Sequence, residues 1–172
     1  MATLSLFRHA KSAWGNPTAG DFDRPLAPRG TRAAPLMGRF MAEQGLEPDI
    51  VLCSTATRAR QTLDLALPEL NTKPEVRYTD DLYGAGPADM VKLLRALEET
   101  CSHAMLVGHN PGMQALALDL VGGGDDANIR SLAQKFPTAA LAVIDFDDRW
   151  PDLAPGKGFL RIFMVPKALP KT

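Results

Sequence analysis

Three short apolar runs, each ending abruptly in polar residues and each followed by a helical pattern, constrain this chain more than any other feature. Leu4, Leu6 and Phe7 lie in the first. Asp49-Ile50-Val51-Leu52-Cys53 is the second, and Ala104-Met105-Leu106-Val107-Gly108 is the third. Runs of this length bounded by turn residues suit strands buried in a sheet. Strands separated by helices are expected to run parallel through right-handed crossovers, so their carboxyl ends share one edge. The expected fold is therefore a three-layer α/β/α domain with a mainly parallel sheet. A length of 172 residues favours one domain spanning 1–172 and suffices to bury a sizeable core.

The intervening segments fit this reading. Ala33, Leu36, Met37, Phe40 and Met41 repeat at helical spacing. Pro28 suits a start, but Pro35 lies inside the pattern, so the helix either begins near Thr31 or is kinked at Pro35. Gly45 is a plausible stop. Ser54 and Thr55 offer capping hydroxyls for a second helix reaching Ala66, with Arg58 in its first turn and Gln61 and Thr62 on the same face. Val76-Arg77-Tyr78 reads as a short strand and residues 80–86 as a loop. Pro87 opens a helix carrying Met90, Leu93, Leu94 and Leu97. Asn110 and Pro111 fit the start of another helix. Gly122-Gly123-Gly124-Asp125-Asp126 reads as a flexible loop. Without a following Gly-Lys-Ser/Thr it is no P-loop. Residues 139–146 and 158–165 read as further strands, and the tail from Pro166 as loosely held.

Composition removes several classes. A formal net charge of −1 gives no basic footprint for nucleic acid. No apolar run approaches membrane-spanning length. No basic region followed by an apolar segment opens the chain, so no secretory leader is expected. Cys53 and Cys101 read as reduced residues beside strands, which suits a cytoplasmic protein. Cys53 is a conceivable nucleophile, although small buried cysteines are common. His9, His103 and His109 are the three histidines and show no paired metal-ligand spacing, so neither metal nor cofactor is expected.

The strand ends carry the chemistry. Ligands of open α/β sheets bind outside the carboxyl ends of the strands. The first run ends in Arg8-His9, the second leads through Ser54 to Arg58, and the third ends at His109. An arginine offers a planar fork to phosphate oxygens. An imidazole can take a phosphoryl group covalently. His109 stands between a strand end and a helix N-terminus, a natural place for an anion. The blander alternatives are a solvated strand end for Arg8, a satisfied structural histidine for His9 and a solvent-facing helical arginine for Arg58, with Arg60 as a decoy beside it. His103 falls at the opposite end of its strand. The loop after Ser12, with Gly20-Asp21-Phe22-Asp23-Arg24-Pro25, could rim the same edge or be ordinary surface. Two arginines and two histidines around one pocket call for an anion, and phosphoryl transfer needs a nucleophile in line with cations on the equatorial oxygens.

Arg8-His9-Ala10-Lys11-Ser12, the stretch Ser54-Thr55-Ala56-Thr57-Arg58-Ala59-Arg60-Gln61-Thr62, and Val107-Gly108-His109-Asn110-Pro111 together resemble the histidine phosphatase superfamily. The chain is most similar to its short SixA-like phosphohistidine phosphatases. The likeness also takes in Asp23-Arg24-Pro25-Leu26 and Pro28-Arg29-Gly30. The resemblance implies a phosphoglycerate mutase-like fold and His9 as a nucleophile that becomes phosphohistidine. It also implies Arg8, Arg58 and His109 as holders of the phosphoryl oxygens, joined by Ser12 and Asn16 as candidate substrate-binding residues. Ala10 stands where the family usually has Gly. Gly15 occupies the family's asparagine position, with Asn16 one place later. Asp81 is the candidate general acid.

About fifty residues separate Arg58 from His109, where larger members carry a lid. A short connection suggests an open site that admits a phosphohistidine on a protein partner. The phosphorus–nitrogen bond is labile and needs little help at the leaving group. A small phosphoester metabolite is the alternative. A non-catalytic phosphate-binding module has no need of a positioned nucleophile, and a mutase needs a lid to keep water from the phosphoenzyme.

Overall fold

The computed structural model describes residues 1–14 and 20–170. Seven strands form one sheet: β1 (Ala2–Arg8), β2 (Ile50–Ser54), β3 (Glu75–Thr79), β4 (His103–Gly108), β5 (Val121–Gly124), β6 (Leu141–Phe146) and β7 (Gly158–Met164), in the order β3-β2-β4-β1-β6-β7-β5. The helices are α1 (Pro28–Glu43), α2 (Thr57–Ala66), α3 (Pro87–Arg95), α4 (Gly112–Leu120) and α5 (Asp126–Gln134). β1 runs parallel to β4, β4 to β2 and β2 to β3. β6 alone runs against its neighbours, pairing antiparallel with β1 and β7. The fold is α/β with a mainly parallel sheet.

Covering both faces explains why the central strands read as nearly unbroken apolar runs. Successive side chains leave a strand on opposite faces. Leu4, Leu6, Leu52, Leu106 and Ile144 pack with Met90 and Leu94 of α3, Leu116 of α4 and Leu132 of α5. Phe7, Val51, Cys53, Val107 and Val143 pack with Met37 and Met41 of α1 and Ala59 and Leu63 of α2.

Of the two alternatives for α1, the start near Thr31 falls: the helix begins at Pro28 and contains Pro35. Pro28 fills a first-turn position where its missing N–H costs nothing. Two other local readings need correction. The glycines at 122–124 form the edge strand β5 beside β7. They permit close approach, not looseness: a Cβ on Gly122 would stand 2.0 Å from the Gly156 carbonyl oxygen, and Gly124 has φ +143°. The tail is tied down as far as it is described, since residues 166–168 form a 3-10 turn and Leu169 packs on the α1–α2 side of the core. Gly45, at φ +68°, does end α1, with Leu46 N–H donating to the Met41 carbonyl at 2.9 Å.

Candidate active site

The parallel set β1, β2, β3 and β4 puts Arg8, Ser54, Thr79 and Gly108 at one edge. His9 and His109 are the residues that immediately follow β1 and β4, and their ring centroids lie 5.2 Å apart. His9 is 6% exposed. Its Nδ1 donates to the Ala10 carbonyl at 2.8 Å, which leaves Nε2 as the lone-pair nitrogen. The same Ala10 is tied to α2: its N–H donates to Thr62 Oγ1 at 2.9 Å, and that hydroxyl donates to the Arg58 carbonyl at 2.7 Å. Thr62 thus joins the backbone beside His9 to the helix turn that carries Arg58.

Burial lowers the His9 pKa to about 3, with His109, Arg8 and Arg58 adding to the shift. His109 is lowered to about 4, again chiefly by burial and then by Arg58. Both imidazoles are neutral at pH 7. His109 Nε2 lies 2.8 Å from Ser54 Oγ, and Ser54 Oγ accepts from the Ala56 N–H at 3.2 Å. Accepting from Ala56 leaves the Ser54 hydroxyl both its proton and a lone pair, so it can donate to His109 Nε2 or accept from it. The other ring nitrogen, Nδ1, is buried and has no partner among the described residues. Ser54 does not cap α2, whose N-cap is Ala56 with no side-chain cap bond. The hydroxyl expected to serve the helix serves the second histidine.

Arg58 is buried, 7% exposed, as the strand-end reading requires. Arg60 is exposed, with its guanidinium 5.5 Å from the Tyr78 ring, and plays no part in the cluster. Arg8 NH1 donates to the Phe136 carbonyl at 2.9 Å, while its buried Nε has no partner among the described residues. Burial and the neighbouring Arg58 pull the Arg8 pKa below its ordinary value. The two guanidiniums and two imidazoles all lie within electrostatic reach of one another, a concentration of positive charge and nitrogen groups that suits an anion. Asn110 steadies the start of α4, its Oδ1 accepting from the Gln114 N–H at 3.1 Å.

The remaining predicted residues fall elsewhere. Ser12 is buried, and its Oγ accepts from Arg24 NH2 at 2.6 Å, so it anchors the rim loop. Asn16 lies outside the described residues. Asp81 is exposed in the 3-10 turn at Asp80–Leu82 and bonds none of Arg8, His9, Arg58 or His109 among the described residues. Two rim residues had not been singled out. Asp21 bonds Arg58, and Tyr83 stands edge-on to His109 with centroids 5.4 Å apart. Asp21 carried only the signal of a loop following the first strand, and Tyr83 that of a loop following the third. Cys53 is fully buried on the α2 side, and burial pushes its thiol up to about 12, which rules against a nucleophilic role.

Residues 4–83 match the sequence model of the histidine phosphatase superfamily, branch 1. An uncharacterized protein of Mycobacterium tuberculosis (strain H37Rv) is 41% identical over 162 residues, covering 93% of this chain and 99% of that protein. A provisionally named phosphohistidine phosphatase SixA from Nakamurella multipartitia superposes with a TM-score of 0.82 at 32% identity, covering 97% of each chain. Another provisionally named SixA, from Agrobacterium tumefaciens, gives 0.82 at 34% identity over 96% of this chain and 98% of that one. A protein histidine phosphatase SixA complexed with tungstate shares the fold, with a TM-score of 0.78 at 24% identity, covering 96% of this chain and 97% of that one.

Proposed function

Because the chain belongs to the histidine phosphatase superfamily, as a SixA-like phosphatase, we propose that it hydrolyses phosphohistidine in a protein partner through a phosphoryl group carried on His9. The observation that carries this reading is the neutral, oriented His9. Its Nδ1 proton is fixed on Ala10, so the Nε2 lone pair is the one free to attack phosphorus. Attack forms the Nε2–P bond and breaks the bond to the leaving nitrogen, which keeps the electron pair. Arg8, Arg58 and His109 hold the equatorial oxygens. Water then attacks the phosphoryl group, His9 recovers its lone pair, and inorganic phosphate leaves.

A cavity of about 240 Å³ lies beside His109, between residues 84–87 and the start of α4, and leaves room there for a substrate larger than phosphate. The leaving imidazole of phosphohistidine, protonated on its far nitrogen, departs neutral and needs no strong acid. That suits a site whose candidate acid, Asp81, stands outside the hydrogen-bonded cluster.

Rapid-quench labelling with a radioactive phosphoryl donor tests the reading. Wild type is expected to give an acid-labile, base-stable phosphoenzyme, and His9→Ala none, with turnover abolished. Label persisting in His9→Ala would transfer the nucleophile's role to His109. A panel of phosphohistidine peptide, sugar phosphate and aryl phosphate should favour the peptide. Asp81→Asn should cost little with it and more with an alkyl phosphate, whose leaving group needs a proton.

A further inference from the structure

The Arg58 fork is already engaged on one side. Its NH1 donates to the Asp21 backbone carbonyl at 2.7 Å and its NH2 to Asp21 Oδ2 at 3.0 Å. Among the described residues these are the hydrogen bonds its guanidinium makes. The same carboxylate accepts from the Tyr83 hydroxyl on Oδ2 at 2.5 Å and from Arg24 NH1 on Oδ1 at 2.9 Å. Arg24 in turn reaches Ser12, next to the nucleophile's segment, at 2.6 Å. A buried cation is therefore aimed by a surface residue, for the Asp21 side chain is 52% exposed. These donors, led by the Tyr83 hydroxyl, hold the Asp21 carboxyl well below the usual carboxylate range.

Arg58 needs such an aim. A free guanidinium on a long stem has many rotamers, and Arg8 repels it. A counter-ion fixes the rotamer and offsets the repulsion. Each terminal nitrogen of the fork carries two N–H groups, so one on each remains for a phosphoryl oxygen. An anion bound there would share the guanidinium with the Asp21 carboxylate.

We propose that Asp21 is a positioning residue of the phosphate site: it aims Arg58 and, by its own negative charge, keeps bound inorganic phosphate loose enough to leave. This rests on the phosphatase reading, since a hydrolase must release phosphate in every cycle. Asp21 itself makes no bond to the reacting atoms.

The test compares Asp21→Asn, Asp21→Ala and Tyr83→Phe, measuring the calorimetric Kd for inorganic phosphate beside kcat and KM with a phosphohistidine peptide. The amide oxygen of Asp21→Asn still accepts from Arg58 but carries no charge. It should bind phosphate more tightly, on the order of tenfold after allowing for solvent screening. Asp21→Ala keeps the backbone carbonyl that accepts from NH1 but removes the carboxylate that holds NH2, and should lower kcat roughly tenfold, with a smaller change in KM. Tyr83→Phe leaves both Arg58 bonds in place and should lie between wild type and Asp21→Ala in kcat. Unchanged or weaker phosphate binding in Asp21→Asn overturns the proposal, as does an equal fall of kcat and melting temperature in both Asp21 variants. Phosphate binding needs no turnover. A wild-type chain that binds phosphate but does not hydrolyse the peptide would therefore overturn the substrate reading, while the binding arm still decides the role of Asp21.

Discussion

At the scale of single residues, the site depends on keeping two histidines uncharged among two arginines. His9 is held to about 3 and His109 to about 4, in both cases mainly by burial. Buried His103, bonded to Ser5 Oγ at 2.8 Å at the far end of β4, is lowered to about 4 by the same cause. In the unfolded chain each would titrate near 6.5. Between that value and the folded one, the unfolded chain binds protons that the native state refuses. Native stability should therefore fall as the pH drops from about 6.5 towards 4, and these groups should exert no pull above 7. Proton NMR of the three imidazoles should show none titrating between roughly pH 5 and 8 in the ligand-free protein. Added phosphate should move the His109 titration upward, because a dianion favours its charged form. A His9 resonance titrating near 6.5 would contradict the neutral-nucleophile account. Arg8, His9 and His109 could be singled out in the sequence because each closes or follows an apolar run at a strand end, and Arg58 because it falls in the first turn of the helix after another such run. Asp21 and Tyr83 could not, since their roles come from contacts 37 and 62 residues apart in the chain.

At the scale of elements, local chemistry decides several starts and stops, and tertiary context overrides others. Pro28, Gly45 and Pro87 act at helix ends as their backbone preferences dictate. Ser54 and the 122–124 glycines do not follow local preference. The Ser54 hydroxyl is claimed by His109 from another strand, and the glycines are needed where β5 and the Gly156 turn nearly touch. Neither demand is visible in a window of neighbouring residues. Gly30 is a third such place. In the first turn of α1, its absent side chain faces the Lys11 carbonyl, which a Cβ would approach to 2.2 Å. That carbonyl also accepts from the Ala27 N–H at 2.8 Å, and the adjacent Ser12 bridges Leu26. Gly30→Ala must push the 11–13 segment away from α1. Thermal unfolding should show a loss of about 1–3 kcal/mol. Activity should fall further than stability alone explains, because the segment leads directly from His9. A variant as stable and as active as wild type would mean that the contact yields freely.

At the scale of the whole molecule, four parallel strands deliver their carboxyl ends to one edge, and that geometry brings together residues a hundred positions apart in the chain. Alternation of strand and helix was enough to expect this. The antiparallel β6, which lies between β1 and β7, was not legible, because an apolar strand reads the same in either direction. The concentration of charge has a consequence for the entire fold. Arg8 and Arg58 repel each other, and the buried Arg8 Nε and His109 Nδ1 have no partner among the described residues. A bound oxyanion can offset that repulsion and offers an acceptor to Arg8 Nε, so it should stabilise the native state and not the unfolded chain. At about a hundred times its Kd, phosphate or tungstate should add about 2.7 kcal/mol, which for a chain of this size raises Tm by roughly 5–10 °C. His9→Ala should keep most of that shift, since the holding groups remain. Arg58→Ala should lose it, since half of the cationic charge has gone. The same shift should survive a chelator, because the arginines supply the positive charge. An oxyanion shift as large in Arg58→Ala as in wild type would place the anion elsewhere on the molecule, and the convergence of the strand ends would then need another explanation.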